Sequence, residues 1–522
     1  MGTAERQIKS PRDLTTNQLD YKYNSLMFAI FFITFTVISL VSLIVFYQLY
    51  FSKNSSEKKA IVHLNSQPYS TDPLDYDAFV HHVVFRSIYS SLVSQYKNGT
   101  IKGVLAESWN NSENFKIWRF KIRSNLTFEN GDPITPSAIL KSFTRAAFIM
   151  KKSGSNSGLF ENIIDFDQIN SPSSKLKGIF IDKDEIVFQL SKPIPNLLDI
   201  ISFGIYGVVH ESNFDSNTGN WLNKKNITSS GFYRISNWND SLIEITLRND
   251  FSIEDSHPNR FEKIHFHWSP EFRQQAHLVM GNSNESTLTD MGLTFFGGAN
   301  SSIAYARCRS WKNKDSPCHS IENRTLLRNA FYSSLEKAGQ KVTRSFFPLG
   351  IKSVHELDTK SFEVKLIEKI RVKYALTKNL NPTFQLFEPS IKESVNHLNG
   401  IAVPVDIPQE VFYDEYDQNL KSYMADIYML GTGILIEAPL HDINFMFKAK
   451  EGIQLPDSSG LIIKELENNN PNIQLINEEI WNQAIIWPIT HYASGFWAKN
   501  NVDLSLINNS LPPTDFNWVG WK

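Results

Sequence analysis

Cysteine is nearly absent from this chain: two residues in 522, Cys308 and Cys318. Two thiols cannot complete a four-ligand zinc site, and a dense disulfide scaffold is excluded with it. Charge of one sign is missing too. Lysine and arginine number 52 against 54 acids, for a net charge of −2, and no long basic block interrupts that balance, so nucleic acid has no electrostatic footprint here. The catalytic strings are also missing. There is no H-E-x-x-H, no G-x-S-x-G and no glycine-rich loop ending in Gly-Lys-Ser/Thr, so nothing points to a zinc hydrolase, a serine hydrolase or a P-loop enzyme. Ser55-Ser56-Glu57-Lys58 and Ser334-Leu335-Glu336-Lys337 fit S-x-x-K, but the first lies in a polar tether and the second on a helix among core residues. No enzyme is expected, and neither a cofactor nor a metal.

One long hydrophobic run is present, residues 25–51, with no charged side chain inside it. As a helix it reaches about 40 Å, enough to cross a hydrocarbon core of about 30 Å with tilt. Tyr47, Tyr50 and Phe51 at its end suit the membrane interface. A cleaved signal peptide would have a shorter apolar core and small residues at its exit. This run leaves instead through Val45-Phe46-Tyr47-Gln48-Leu49-Tyr50, with no cysteine after it for a lipid. The expectation is an uncleaved single-pass anchor. Arg6, Lys9, Arg12 and Lys22 precede it, while Lys53, Lys58 and Lys59 lie just beyond it, which leans slightly toward an inside N-terminus.

Residues 1–24 form a short leading segment and 52–60 a polar tether; the remainder of the chain reads as a mixed α/β protein with discontinuous lobes. Trp118, Phe120 and Ile122 alternate with Arg119, Lys121 and Arg123, the signature of a half-buried strand. Ile243, Ile245 and Leu247 repeat the pattern, as do Ile264, Phe266 and Trp268. Thr135-Pro136 opens a helix to about residue 151, and Leu327, Ala330, Phe331, Leu335 and Ala338 place another over about 324–338, ending at Gly339. His265 and His267 share one strand face, read as a solvated polar face rather than a metal site. Cys308 and Cys318 would close a small loop in an oxidising compartment; two free surface thiols are the alternative. The apolar run Ala425 to Leu430 enters Gly431-Thr432-Gly433. Ligands in α/β proteins gather beyond strand carboxyl ends, which makes that loop the candidate site.

The order of motifs then resembles one family, the bacterial extracellular solute-binding proteins of the oligopeptide, dipeptide and nickel class. The strings that carry the resemblance are Thr71-Asp72-Pro73, Arg86 through Tyr89 to Leu92, and Leu105-Ala106-Glu107-Ser108-Trp109. Phe120 to Arg123, Phe128 with Gly131-Asp132-Pro133 and the helix reaching Arg145 come next in the same order. Ser230-Gly231-Phe232-Tyr233, Leu327-Arg328-Asn329-Ala330 and Ala484 to Pro488 complete the series. The resemblance implies a two-lobed periplasmic-binding-protein-like fold, with lobe I over 61–270 completed by 484–522 and lobe II over 271–483. It implies Tyr89, Thr432, Gly433, Leu435 and Glu437 as ligand-binding positions, and an ABC permease or other integral membrane complex as partner.

The chain also departs from the family. Peptide receptors carry an aspartate in this loop that pairs with the ligand's ammonium, and the matching position here is Leu435. Leucine accepts no charge-assisted hydrogen bond, although Glu437 or Asp442 would substitute if the loop took another path. Two readings remain: a receptor anchored in the bacterial inner membrane that delivers a peptide-like or other small ligand to an ABC importer, or a degenerate binding-protein fold serving as accessory, sensor or scaffold subunit.

Overall fold

Alternation along Ile117–Ile122 buries Trp118, Phe120 and Ile122 and turns the residues between them outward, as the period of two in a strand requires. This strand lies in a four-stranded antiparallel sheet ordered Ala106–Asn111, Ile117–Ile122, Glu185–Gln189, Ile179–Asp182. On the outer face Arg119 reaches Asp182 at 2.8 Å and Glu185 at 2.9 Å. Helix Pro136–Ser153 packs on the inner face, Phe143 meeting Phe188 at 5.3 Å between ring centroids. Its start is capped as expected, Thr135 Oγ1 accepting from the Ala138 N–H at 3.2 Å.

The computed structural model describes residues 27, 30, 33–42, 59–75, 79–153, 159–222, 225–283, 286–298, 302–349, 351, 354–357, 370–376, 386–407, 425–433, 447, 460–468, 471–507 and 515–522. The chain divides into two compact units, Met1–Lys59 and Ala60–Lys522. In the first, residues 33–42 are helical, and Ile33, Phe35, Val37, Ile38, Leu40 and Val41 are exposed. Among the described residues no helix is long and apolar enough to cross a membrane. Most of the flanks of the expected 25–51 anchor, and residues 52–58 of the tether, lie outside the described residues.

The second unit is organised by two larger sheets. A seven-stranded mixed sheet runs in the order Thr294–Gly297, Ser494–Ala498, Leu278–Asn282, Lys59–His63, Lys263–His267, Ile243–Leu247, Tyr233–Trp238. A five-stranded sheet runs Ile401–Asp406, Arg371–Leu376, Ile427–Gly433, Ser302–Cys308, Ile486–Tyr492. The central Ser302–Cys308 strand is buried along its whole length. Ile303 and Tyr305 enter one apolar core, while Ala304, Ala306 and Cys308 enter another, so this sheet is covered on both faces.

Strand pairing corrects the expected lobe boundaries of 270/271 and 483/484. Leu278–Asn282 and Thr294–Gly297 still belong to the first sheet, and Ile486–Tyr492 already belongs to the second. The chain passes from one sheet to the other between Gly297 and Ser302 and returns at Ala493. The stretch after Trp268 is an excursion within the first lobe, containing a short 3-10 turn at Pro270–Phe272. The same excursion corrects the reading of His265 and His267 as a solvated face. Phe272 stacks on His267 at 3.8 Å, and Glu244 meets His265 at 2.6 Å.

Candidate functional site

The candidate strand, Ile427–Gly433, is buried through Leu430 and emerges at Gly431, Thr432 and Gly433. One edge pairs antiparallel with Ser302–Cys308, Gly433 opposite Ser302 and Gly431 opposite Ala304. Along its other edge, among the described residues, pairing stops at Tyr374 opposite Ile427. The strand's emerging end carries Gly431 and Gly433, which have no side chain to block approach. A Cβ at Gly433 would find only Ser302 Oγ, at 4.0 Å.

This end of the strand also marks where the lobes join. Ser302 opens the strand after the first crossover, Ser494 opens the strand after the second, and their hydroxyls share a 2.8 Å hydrogen bond. Asn282, paired with Ser494, accepts at its carbonyl from Trp497 Nε1 at 3.0 Å. No local periodicity announces the two serines. They meet beside the exposed end of the candidate strand, where Ser302 pairs with Gly433.

Of the expected binding residues, the structure brings Thr432 and Gly433 to this end, Thr432 half-buried and Gly433 exposed. Leu435 and Glu437 lie outside the described residues, as does Asp442. Tyr89 is placed in the core of the first lobe. It is 3% exposed, its hydroxyl donates to the Thr71 carbonyl at 3.0 Å, and burial raises its pKa, keeping the phenol protonated. It supports the Thr71-Asp72-Pro73 segment from below and presents no free surface.

The strings that looked diagnostic in the sequence turn out to be packing sites. Asp72 is held by Arg145 through two hydrogen bonds, Nη1 to Oδ1 at 2.8 Å and Nη2 to Oδ2 at 2.5 Å. The guanidinium also donates to Gly219 O at 2.9 Å and lies over the Trp221 ring. Gly231 donates to Ile88 O at 2.9 Å, and a Cβ there would stand 2.7 Å from the Ile88 carbonyl carbon. Only glycine permits that approach to the end of helix Phe79–Ile88.

At the buried end of the candidate strand a second cluster forms. Asp426 Oδ1 accepts from Ser310 Oγ at 2.8 Å and Ser316 Oγ at 2.6 Å, and Oδ2 accepts from the Lys373 N–H at 2.9 Å. Cys308 and Cys318 are both fully buried beside it, with their sulfurs 2.6 Å apart. Arg324 donates to the carbonyls of Cys318 and His319 at 2.9 and 2.7 Å. Sequence reading singled out the cysteines but missed Asp426, whose partners come from two separate segments.

Two covered sheets joined by adjacent crossovers, with an exposed strand end beside the junction, define a two-lobed binding-protein fold. Residues 100–284 match the bacterial extracellular solute-binding proteins, family 5, in its middle region. The periplasmic oligopeptide-binding protein OppA of Salmonella typhimurium is 26% identical over 188 residues, 35% of this chain and 34% of the relative. The match thus spans about a third of the relative's length. Haemophilus influenzae OppA, solved in complex with RPPGFSPFR, has a TM-score of 0.73 at 13% identity, covering 89% of this chain and 99% of that one. The Escherichia coli murein tripeptide binding protein MppA gives 0.71 at 15%, covering 89% and 98%. These structural likenesses establish the fold.

Proposed function

We propose that this protein is a membrane-anchored extracytoplasmic receptor that binds a peptide-like ligand in extended form and delivers it to an ABC importer. The observation that carries the reading is the emergence of Gly431, Thr432 and Gly433 from the core beside the lobe junction. An extended peptide can add to such a strand end through its main chain, leaving side-chain preference to the surroundings. Kinship with family 5 and with the oligopeptide-binding OppA proteins supports the same ligand class. The chain binds and releases; it performs no covalent chemistry. Leu435 in place of the family's aspartate favours ligands whose amino end is blocked or held elsewhere.

Anchoring through residues 25–51 is supported by the helical, outward-facing apolar side chains of 33–42. Thr34 and Thr36 return their hydroxyls to the carbonyls of Ile30 and Ile33, both at 2.9 Å. Their polar groups are therefore satisfied within the helix, as hydrocarbon demands. In this reading the N-terminus is cytoplasmic and the large domain faces the outside of the bacterial inner membrane.

The test is thermal unfolding of the full chain in detergent against peptide pools with free and with acetylated amino ends. A ligand at about 100 times its Kd adds about 2.7 kcal/mol to the native state, and the acetylated pool gives the larger rise in Tm. A flat response to both pools, with a membrane complex co-purifying, would assign the fold a scaffold role instead.

A further inference from the structure

We propose that Cys308 and Cys318 are joined as a buried disulfide that closes the 309–317 loop around Asp426 and fixes the root of the ligand-binding strand. The inference rests on the extracytoplasmic placement of the domain.

Cys308 ends the Ser302–Cys308 strand and pairs with Ile427, the first residue of the candidate strand. Cys318 lies just before Ser320, the cap of helix Ile321–Lys337. Both side chains are fully buried and their sulfurs face one another, so neither surface exposure nor a competing thiol stands between them. Between the cysteines, the hydroxyls of Ser310 and Ser316 both donate to Asp426. Cys318 supports this arrangement with its own N–H, which donates to Ser316 Oγ at 3.0 Å. A covalent link across the mouth of the loop holds both hydroxyls on the carboxylate. Asp426 in turn binds the Lys373 N–H, so the link ties three neighbouring strands at one point.

Burial raises the Cys308 pKa, and a buried thiol is a poor nucleophile. Oxidation therefore belongs to folding, before the loop closes. One cysteine thiolate attacks the disulfide of an extracytoplasmic thiol oxidoreductase and forms a mixed disulfide. The second thiolate then displaces the oxidoreductase, which leaves as a dithiol carrying the two electrons and two protons lost by the pair.

The test uses full-length protein trapped in acid, denatured and treated with N-ethylmaleimide before mass measurement. We expect no adduct without reductant and two adducts after reduction. In parallel, protease added to intact spheroplasts reports the side of the domain. Two adducts without reduction on a protease-accessible domain overturn the disulfide and leave the receptor reading standing. A protected domain overturns the placement and the disulfide together. Thermal unfolding supplies a second readout. Reductant should lower the wild-type Tm by a few degrees, to that of C308A/C318A, with either single variant equal to the double. Additive single losses, or a wild type indifferent to reductant, overturn the link.

Discussion

Asp72 and Arg145 lie 73 residues apart in the chain and meet with side chains 8% and 2% exposed. Removing one partner strands a buried charge, which costs about 3–5 kcal/mol. Asp72→Ala is therefore expected to lower the urea midpoint sharply, while Asp72→Ala/Arg145→Met recovers part of the loss. Both residues were visible in the sequence as members of ordered strings, but their contact was not, because pairing across that distance leaves no mark in local periodicity. His63 carries a different signature. Burial, with a smaller contribution from Arg273, lowers its pKa from 6.5 to about 4, so the folded state keeps it neutral where the unfolded chain would protonate it. Between those values the unfolded state holds more protons and stability falls as pH falls; below about 4 the contribution is fully lost. His491 shifts in the same direction, also through burial. From pH 7 to pH 5, His63 alone should remove about 2 kcal/mol, and His63→Phe should flatten that part of the curve in urea titrations at the two pH values.

At the scale of elements, the legible features were those written in periodicity and capping. The strand at Ile117–Ile122 and the helix at Pro136–Ser153 fall where alternation and Thr135-Pro136 place them. The second helix begins earlier than residue 324, at Ile321, because Ser320 Oγ accepts from the Asn323 N–H at 3.1 Å. A lone serine in the polar run before the apolar spacing begins carried too little signal to find it. Ser320→Ala should cost about 1 kcal/mol. Gly231→Ala should cost about 1–3 kcal/mol, since the added methyl meets backbone at the end of Phe79–Ile88 rather than a side chain that can move. Both are read from chemical unfolding midpoints at constant m-value. The lobe boundary was misplaced for a related reason. Leu278–Asn282 carries no alternation, being buried on both faces.

For the whole molecule, the proposed anchor and the proposed receptor domain make separable predictions. Val37→Arg/Ile38→Arg puts two charges near the middle of the 25–51 run, each costing about 2.5–3.5 kcal/mol in a spanning helix. The variant should move from the carbonate-resistant membrane pellet to the supernatant, with the unfolding of the large domain unchanged. The resemblance to family 5 was readable from sequence because the recurring strings are packing sites that the fold itself requires. The candidate site was readable only to Gly433, since ligand preference depends on loops whose composition follows the ligand rather than the fold.

The Ser302–Ser494 hydrogen bond places both crossovers within one contact of each other. Mechanically that is a fulcrum. If the lobes rotate there by a few degrees, the displacement grows with distance from the junction, so spin labels at Lys121, on the four-stranded sheet, and at Lys392, on helix Glu388–His397, are expected to register motion that labels near Gly433 miss.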